Sequence, residues 1–88
     1  MTHKIYLHPE AARYLDRCDK ALRQRIKNRL RDLEEEPFKG QRLKHSRYRR
    51  LRIGEYRAIY TIYAEKEEVI ILYIGHRRNV YDDFSRLF

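Results

Sequence analysis

The spacing of apolar residues predicts two helices in the first half of the chain. A short strand is predicted over residues 4–7, and Pro9 suits the first turn of a helix that runs to about Arg17. Asp19 is a predicted N-cap for a second helix, which Pro37 ends near residues 35–36. One apolar stripe recurs along that helix at the i, i+4, i+8, i+11 spacing: Leu22, Ile26, Leu30 and Leu33. The two helices are expected to form a hairpin that lies on a flat surface.

From Tyr48 onward the period changes from helical to two. Leu51 and Ile53 alternate with arginines, and Gly54-Glu55 has the length and composition of a hairpin turn. Two strands rich in β-branched and aromatic residues are predicted over 56–63 and 69–74, with an acidic turn between them. In the last strand we expect one face to carry Ile70, Leu72 and Ile74 and the other to carry Val69, Ile71 and Tyr73.

This order of elements predicts a single α+β domain over residues 1–88. The topology is β-α-α-β-β-β, with a small, mostly antiparallel sheet and a helical hairpin packed on one face. The tail from Val80 to Phe88 is expected either to form a short helix tucked against the sheet or to remain a mobile end. A chain of 88 residues leaves no room for a second domain.

Charge narrows the range of partners. The chain has 21 Lys and Arg against 13 Asp and Glu, a net charge of +8, and an excess of this size favours polyanions such as nucleic acid. Residues 37–52 hold seven basic side chains and no acid. With Cys18 as the single cysteine and no long apolar run, composition argues against a disulfide-stapled, secreted or membrane-spanning protein, so a cytoplasmic location is expected.

Strand alternation places the arginines on one surface. If Leu51 and Ile53 face the helices, then Arg50 and Arg52 face the open side of the sheet, and Arg57 lies near them across the hairpin. His76 and Arg77 follow at the end of the last strand. The sequence therefore predicts one concave surface that carries these arginines and the histidine, and these residues alone leave both an enzyme and a binding module open.

Two segments resemble the RelE/ParE superfamily of toxins from type II toxin–antitoxin pairs. They are residues 48–60, YRRLRIGEYRAIY, and residues 74–81, IGHRRNVY, and the similarity extends over the whole chain in length, charge and element order. RelE proteins cleave messenger RNA in the ribosomal A site without a metal, and a small acidic antitoxin neutralises them. The resemblance therefore implies a cytoplasmic, metal-independent endoribonuclease without a cofactor, whose partners are the ribosome, mRNA and a RelB-like antitoxin.

The resemblance also assigns the site residues. It implies a catalytic set, in which the arginines bind phosphate, His76 transfers protons, and Tyr81 stacks on a base or assists as an acid: Arg50, Arg52, Arg57, His76, Arg77 and Tyr81. Arginine keeps its proton in proteins, so a proton-transfer role falls to the histidine. Four further residues are expected to bind the substrate: Lys44, Arg47, Arg49 and Arg78. No metal ligands are expected.

Two other functions remain open at this stage. ParE relatives share the fold but poison DNA gyrase, and a non-catalytic module could use the same basic sheet to bind nucleic acid. A gyrase poison inhibits supercoiling and leaves ribosome-bound message intact. A pure binder shows steep salt dependence and cuts nothing.

Overall fold

A computed structural model describes residues 2–88 of this protein, and it confirms the predicted α+β class. The elements follow the chain as β1 Lys4–Leu7, α1 Pro9–Arg17, α2 Lys20–Glu35, β2 Gln41–Arg42, β3 Arg49–Ile53, β4 Tyr56–Tyr63, β5 Glu68–His76 and α3 Val80–Leu87. A single 3₁₀ turn, Ala64–Lys66, joins β4 to β5. The five strands form one open sheet, and the three helices lie on its two faces.

The sheet is mixed, and its strands lie in the order β1-β5-β4-β3-β2. Only β1 pairs in parallel, with β5, and the remaining neighbours are antiparallel. The two long apolar strands β4 and β5 therefore lie inside the sheet, because β1 and β3 cover their outer edges. This arrangement explains why β5 is apolar on both faces.

Capping groups fix the ends of the helical hairpin. The His8 ring accepts a hydrogen bond from the backbone N–H of Glu10 at the start of α1, at 3.1 Å. The Asp19 carboxylate accepts from Leu22 N at 2.8 Å, which confirms the predicted N-cap of α2. The Arg23 guanidinium donates to carbonyls at the end of α1 and in the turn that follows it, so it ties the two helices together.

The two faces of the sheet carry separate apolar clusters. The larger cluster lies between the helical hairpin and the sheet and includes the whole predicted stripe except Leu22, which is half-buried at its margin. Leu51 and Ile53 belong to it, as strand alternation predicts. The smaller cluster packs Val80 and Phe84 of α3 against Ile59 on the opposite face. The predicted short C-terminal helix is thus present and covers part of that face.

The predicted faces of β5 were wrong because the pairing of β4 and β5 contains a bulge. The register passes from Ile59 opposite Tyr73 to Tyr60 opposite Ile71, so β5 holds one extra residue, Leu72. Val69, Ile71 and Ile74 therefore share the helical-hairpin face, and Leu72 and Tyr73 lie with α3.

The short strand β2 was not predicted from the sequence. It pairs two polar residues with Arg49 and Arg50 and extends the sheet beyond β3. Over residues 2–88, none of the helices combines the length and apolar character that a membrane crossing requires.

Candidate nucleic-acid interface

A basic cavity of about 600 Å³ is lined by residues of strands β2, β3 and β4, of helices α2 and α3, and of the turn after β5. Seven of the eleven residues that line it are lysine or arginine, and none is acidic: Arg29, Lys39, Gly40, Gln41, Arg50, Leu51, Arg52, Arg57, Arg77, Arg78 and Tyr81. We call this space the first cavity. Guanidinium groups in such number favour a ligand with several anionic oxygens, because each planar fork binds two of them.

The β3–β4 hairpin delivers three of these arginines. Arg50 and Arg52 alternate with two fully buried core residues, so both side chains leave the sheet on the face opposite the helical hairpin. Arg57 lies directly across from Arg52 in the strand register and lines the same cavity. Its guanidinium donates to the carbonyl of Gly54 at 2.8 Å, which holds it at the turn.

Helix α3 contributes Tyr81 to the lining of the first cavity, together with the hairpin arginines. The Arg50 guanidinium donates to the Tyr81 hydroxyl oxygen at 3.0 Å, and its carbon lies 5.9 Å from the centroid of the tyrosine ring. A second hydrogen bond from Arg50 goes to the Gln41 side chain on β2. Because both contacts orient the guanidinium, Arg50 is fixed before any ligand arrives.

Arg77 is held at the cavity by the hairpin turn. Its side-chain Nε lies 2.6 Å from a carboxylate oxygen of Glu55, and its backbone N–H donates to the Glu55 carbonyl at 2.7 Å. Both side chains are about half exposed, so the ion pair itself adds little stability and a phosphate can replace the carboxylate.

The structure does not place His76 with the arginines. Its position in β5 has the parity of Ile74, which faces the helical hairpin. The imidazole packs edge-on against Tyr56 of the larger cluster, with ring centroids 5.7 Å apart, and its Nδ1 accepts from Arg78 N at 3.2 Å. The expectation that the histidine shares the arginine surface was wrong, because this parity directs its side chain to the other side of the sheet.

Of the four residues expected to bind substrate, only Arg78 lines the cavity. Arg49 shares the parity of Leu51; its guanidinium donates to the Gly40 carbonyl at 2.7 Å and lies 4.9 Å from the centroid of the Phe38 ring. Arg47 stands over Tyr48 at 5.6 Å, and Lys44 lies in the exposed turn before it. Arg49 thus orders the segment before β2, and Lys44 and Arg47 stay outside the cavity.

Helix α2 and the segment before β2 contribute residues that the sequence interpretation missed. Arg29 and Lys39 line the first cavity, and Arg25 lines a second one of about 400 Å³ beside the hairpin turn. The signal was present, since Arg25 and Arg29 are four apart and share one helix face. What was missing was the direction of that face, which depends on how α2 packs against the sheet.

A buried tyrosine holds the segment before β2, part of which lines the first cavity. The Tyr60 hydroxyl donates to the Pro37 carbonyl at 2.8 Å and accepts from the Gly40 N–H at 2.9 Å. Burial raises the pKa of Tyr60, which outweighs the hydrogen bond from Gly40 and the charge of Arg49. A Cβ at Gly40 would collide with the Arg50 carbonyl and this hydroxyl, so only glycine allows the close approach.

Comparison with solved structures supports the fold. The RelBE2 toxin–antitoxin complex of Mycobacterium tuberculosis matches with 26% identity and a TM-score of 0.75 over 88% of this chain and 100% of its own. The RelE–RelB complex of Pyrococcus horikoshii matches with 27% identity and a TM-score of 0.74 over 88% and 97%. A double mutant of Escherichia coli RelE in the free state has a TM-score of 0.77 over all of both chains, at 20% identity.

Sequence comparison identifies the family. No curated protein sequence matches this chain significantly. The family model described as the ParE toxin of the type II toxin–antitoxin system matches residues 5–81, which is most of the chain. Together with the structural likeness to RelE toxins, this match shows that the chain belongs to the RelE/ParE superfamily of type II toxins.

Proposed function

We propose that this toxin is a metal-independent endoribonuclease that cleaves messenger RNA in the ribosomal A site and thereby inhibits translation in the cytoplasm. The observation that carries the proposal is the first cavity, where seven cations and one tyrosine surround a space without a lining carboxylate. Phosphodiester cleavage requires donors around the charge that develops in the transition state, and these cations can supply them.

RNA supplies its own nucleophile. The 2′-oxygen attacks the adjacent phosphorus, the bond from phosphorus to the 5′-oxygen breaks, and the products are a 2′,3′-cyclic phosphate and a 5′-hydroxyl. The pentacoordinate phosphorane carries two negative charges, so donors aimed at its oxygens lower the barrier. Arg52, Arg57 and Arg77 line the cavity as such donors, and the loss of one oriented donor typically costs about 2.7–4 kcal/mol.

We assign protonation of the leaving group to Tyr81. Because Arg50 donates to the Tyr81 hydroxyl oxygen, the hydroxyl hydrogen is not used in that contact and is free to point toward a ligand. In the proposed reaction this hydrogen passes to the departing 5′-oxygen. The Arg50 guanidinium beside the ring then stabilises the phenolate that remains.

The proton of the 2′-hydroxyl leaves to water. Arginines do not accept protons, and His76 lies on the other face of the sheet. Arg52, Arg77 and Arg78 are exposed, so water reaches the first cavity. Near neutral pH a reaction of this kind accelerates with hydroxide concentration, whereas a histidine acid–base pair produces a rate maximum there.

The test uses ribosomes programmed with a short message and four purified proteins. Arg52→Gln is expected to lower the single-turnover cleavage rate about 10²–10³-fold, because it removes an oriented donor. Tyr81→Phe should lower it about 10²–10⁴-fold, because it removes the acid. His76→Gln should retain the rate of the original protein at every pH. Cleavage unchanged by both Arg52→Gln and Tyr81→Phe would contradict the proposed site.

An acidic antitoxin of the RelB type is the proposed partner. Two of the solved relatives are toxins bound to such proteins, and the first cavity offers an acidic chain the same cations that it offers RNA. Inhibition of cleavage should therefore compete with RNA: added message should raise the antitoxin concentration needed for half-inhibition.

A second candidate function is inhibition of DNA gyrase, which the match to the ParE family model favours. The two functions have different targets. A gyrase inhibitor would block supercoiling of relaxed plasmid in a purified reaction and leave ribosome-bound message intact. If the protein inhibits supercoiling and cuts no message, gyrase is the target and the nuclease proposal is wrong.

A further inference from the structure

We propose that the second cavity is a binding subsite for a phosphate that flanks the scissile one, and that Arg25 of α2 is its cation. The inference rests on the proposed function, since it extends the path of the RNA strand beyond the reacting phosphate. The cavity, of about 400 Å³, is lined by Arg25, Arg52, Gly54, Glu55, Arg57 and Arg77.

The two cavities adjoin. They share Arg52, Arg57 and Arg77, so these three arginines stand between the spaces and contribute to both. A strand whose reacting phosphate lies against Tyr81 in the first cavity passes these side chains and reaches the hairpin turn. Successive phosphates along one chain need such a continuous row of cations, whereas a single small anion needs only one of the cavities.

The Arg25 guanidinium lies against the hairpin turn. It lies so close to the Cα of Gly54 that a Cβ at position 54 would collide with it. Gly54 also has a φ of 58°, in the left-handed region that favours glycine. Gly54 thus closes the turn, and the end of the Arg25 side chain lies beside it.

Arg25 and Arg52 have no carboxylate partner within 4.0 Å across residues 2–88, although α2 carries acids farther along. The one acid in the second cavity, Glu55, is paired with Arg77. Unpaired cations that face one space repel each other, and a phosphate removes that repulsion. The residues that line this cavity therefore match an anionic ligand, and the adjoining site makes the ligand a phosphodiester of single-stranded RNA.

Binding measurements on oligonucleotides test the subsite separately from cleavage. Fluorescence anisotropy is recorded with a 2′-O-methyl hexanucleotide, which lacks the nucleophile, and with the matching dinucleotide, which offers one phosphodiester. The original protein is compared with Arg25→Gln and with Arg31→Gln. Arg31 is a matched control because it lies on the same helix but beside a different, largely apolar cavity with Ile5 and Leu30.

For the hexanucleotide, Arg25→Gln should reduce the steepness of the plot of log affinity against log salt by about 0.7. The ratio of the original protein's affinity to that of the variant should therefore be about fivefold larger at 0.1 M salt than at 1 M. For the dinucleotide its slope should equal that of the original protein. Arg31→Gln should leave both slopes unchanged.

Three results would overturn the inference. If Arg25→Gln keeps the original slope with the hexanucleotide while the original protein still cleaves programmed ribosomes, the subsite is wrong and the proposed function stands. If Arg25→Gln and Arg31→Gln reduce the slope equally, the effect is one of net charge alone. If the original protein does not bind the hexanucleotide at 0.05 M salt, the subsite is wrong, and cleavage of message on programmed ribosomes decides the proposed function separately.

Discussion

At the scale of single residues, Tyr60 shows how a core side chain supports the candidate site. Its ring belongs to the larger apolar cluster and its hydroxyl holds the segment that leads into β2 through Pro37 and Gly40. That segment carries Lys39, Gly40 and Gln41, all of which line the first cavity. One buried hydrogen-bonded group therefore couples the stability of the core to the shape of the basic surface.

Replacing Tyr60 by Phe should lower the free energy of unfolding by about 1–3 kcal/mol, because the Gly40 N–H and the Pro37 carbonyl lose their buried partner. Urea denaturation at neutral pH measures the loss. A matched control is Tyr63→Phe, at an exposed position, which should change stability by less than about 0.5 kcal/mol.

Tyr60→Phe should also change how the free energy of unfolding depends on pH. Burial raises the pKa of Tyr60 above the value of about 10 in the unfolded chain, so the folded state binds the phenolic proton more tightly. Its contribution is fully present below pH 10 and is lost as the pH rises through the folded pKa. Between pH 10 and 11 the protein should therefore lose stability more steeply than Tyr60→Phe does, and equal slopes in that range would contradict this assignment.

At the scale of elements, α3 decides which part of the sheet stays open. Val80 and Phe84 are buried against Ile59, and the Phe84 ring contacts Tyr48 edge-on at 5.1 Å between centroids. The same helix presents Tyr81 to the first cavity, one turn before Phe84. Packing of the apolar side of α3 thus sets the position of the proposed acid.

Phe84→Ala should lower the free energy of unfolding by about 3–5 kcal/mol, since it leaves a void between α3 and the sheet. Phe88→Ala is the matched control: Phe88 stacks on Phe84 but is 43% exposed, so its loss should cost less than about 1 kcal/mol. Chemical denaturation of both variants measures the difference. Equal effects would mean that α3 is held by its last turn and not by Phe84.

The elements that the sequence predicted well are those that local signals define. Asp19 caps α2, Pro37 follows its end, and alternation around Gly54 fixes the β3–β4 hairpin with its arginines on one face. Strand β2 has two polar residues, and its pairing with β3 depends on contacts across the fold. The extra residue at Leu72 could not be read from β5 itself, because a bulge arises from the pairing of two strands.

The candidate site shows the same difference between residues placed by local signals and residues placed by packing across the fold. The alternation of Arg50 and Arg52 with core residues is local, so their shared surface was predicted. His76 was misplaced because its direction depends on the parity of β5 relative to the hairpin, which the sequence leaves free. Arg25 reaches the site only through the packing of α2 beside the turn.

At the scale of the whole molecule, the net charge of +8 is concentrated where it reduces stability. Arg52 and Arg57 are direct partners across the β3–β4 register and line the same two cavities. Like charges opposite each other on one face of a sheet are destabilising. A surface arranged for stability alone would pair at least one of them with an acid, so their arrangement is most readily explained by an anionic ligand.

Arg52→Gln is therefore expected to raise the free energy of unfolding at 0.05 M salt by about 0.2–1 kcal/mol, because it removes this cross-strand repulsion. At 1 M salt the gain should disappear, since screening there acts over about 3 Å. Arg31→Gln removes the same charge outside the first cavity, so it should raise the free energy of unfolding by less. The measurement is urea denaturation of both variants at the two salt concentrations. If Arg52→Gln is less stable than the original protein at low salt, the cations of the first cavity are stabilised by contacts within the fold. The argument from unpaired charge to an anionic ligand would then fail.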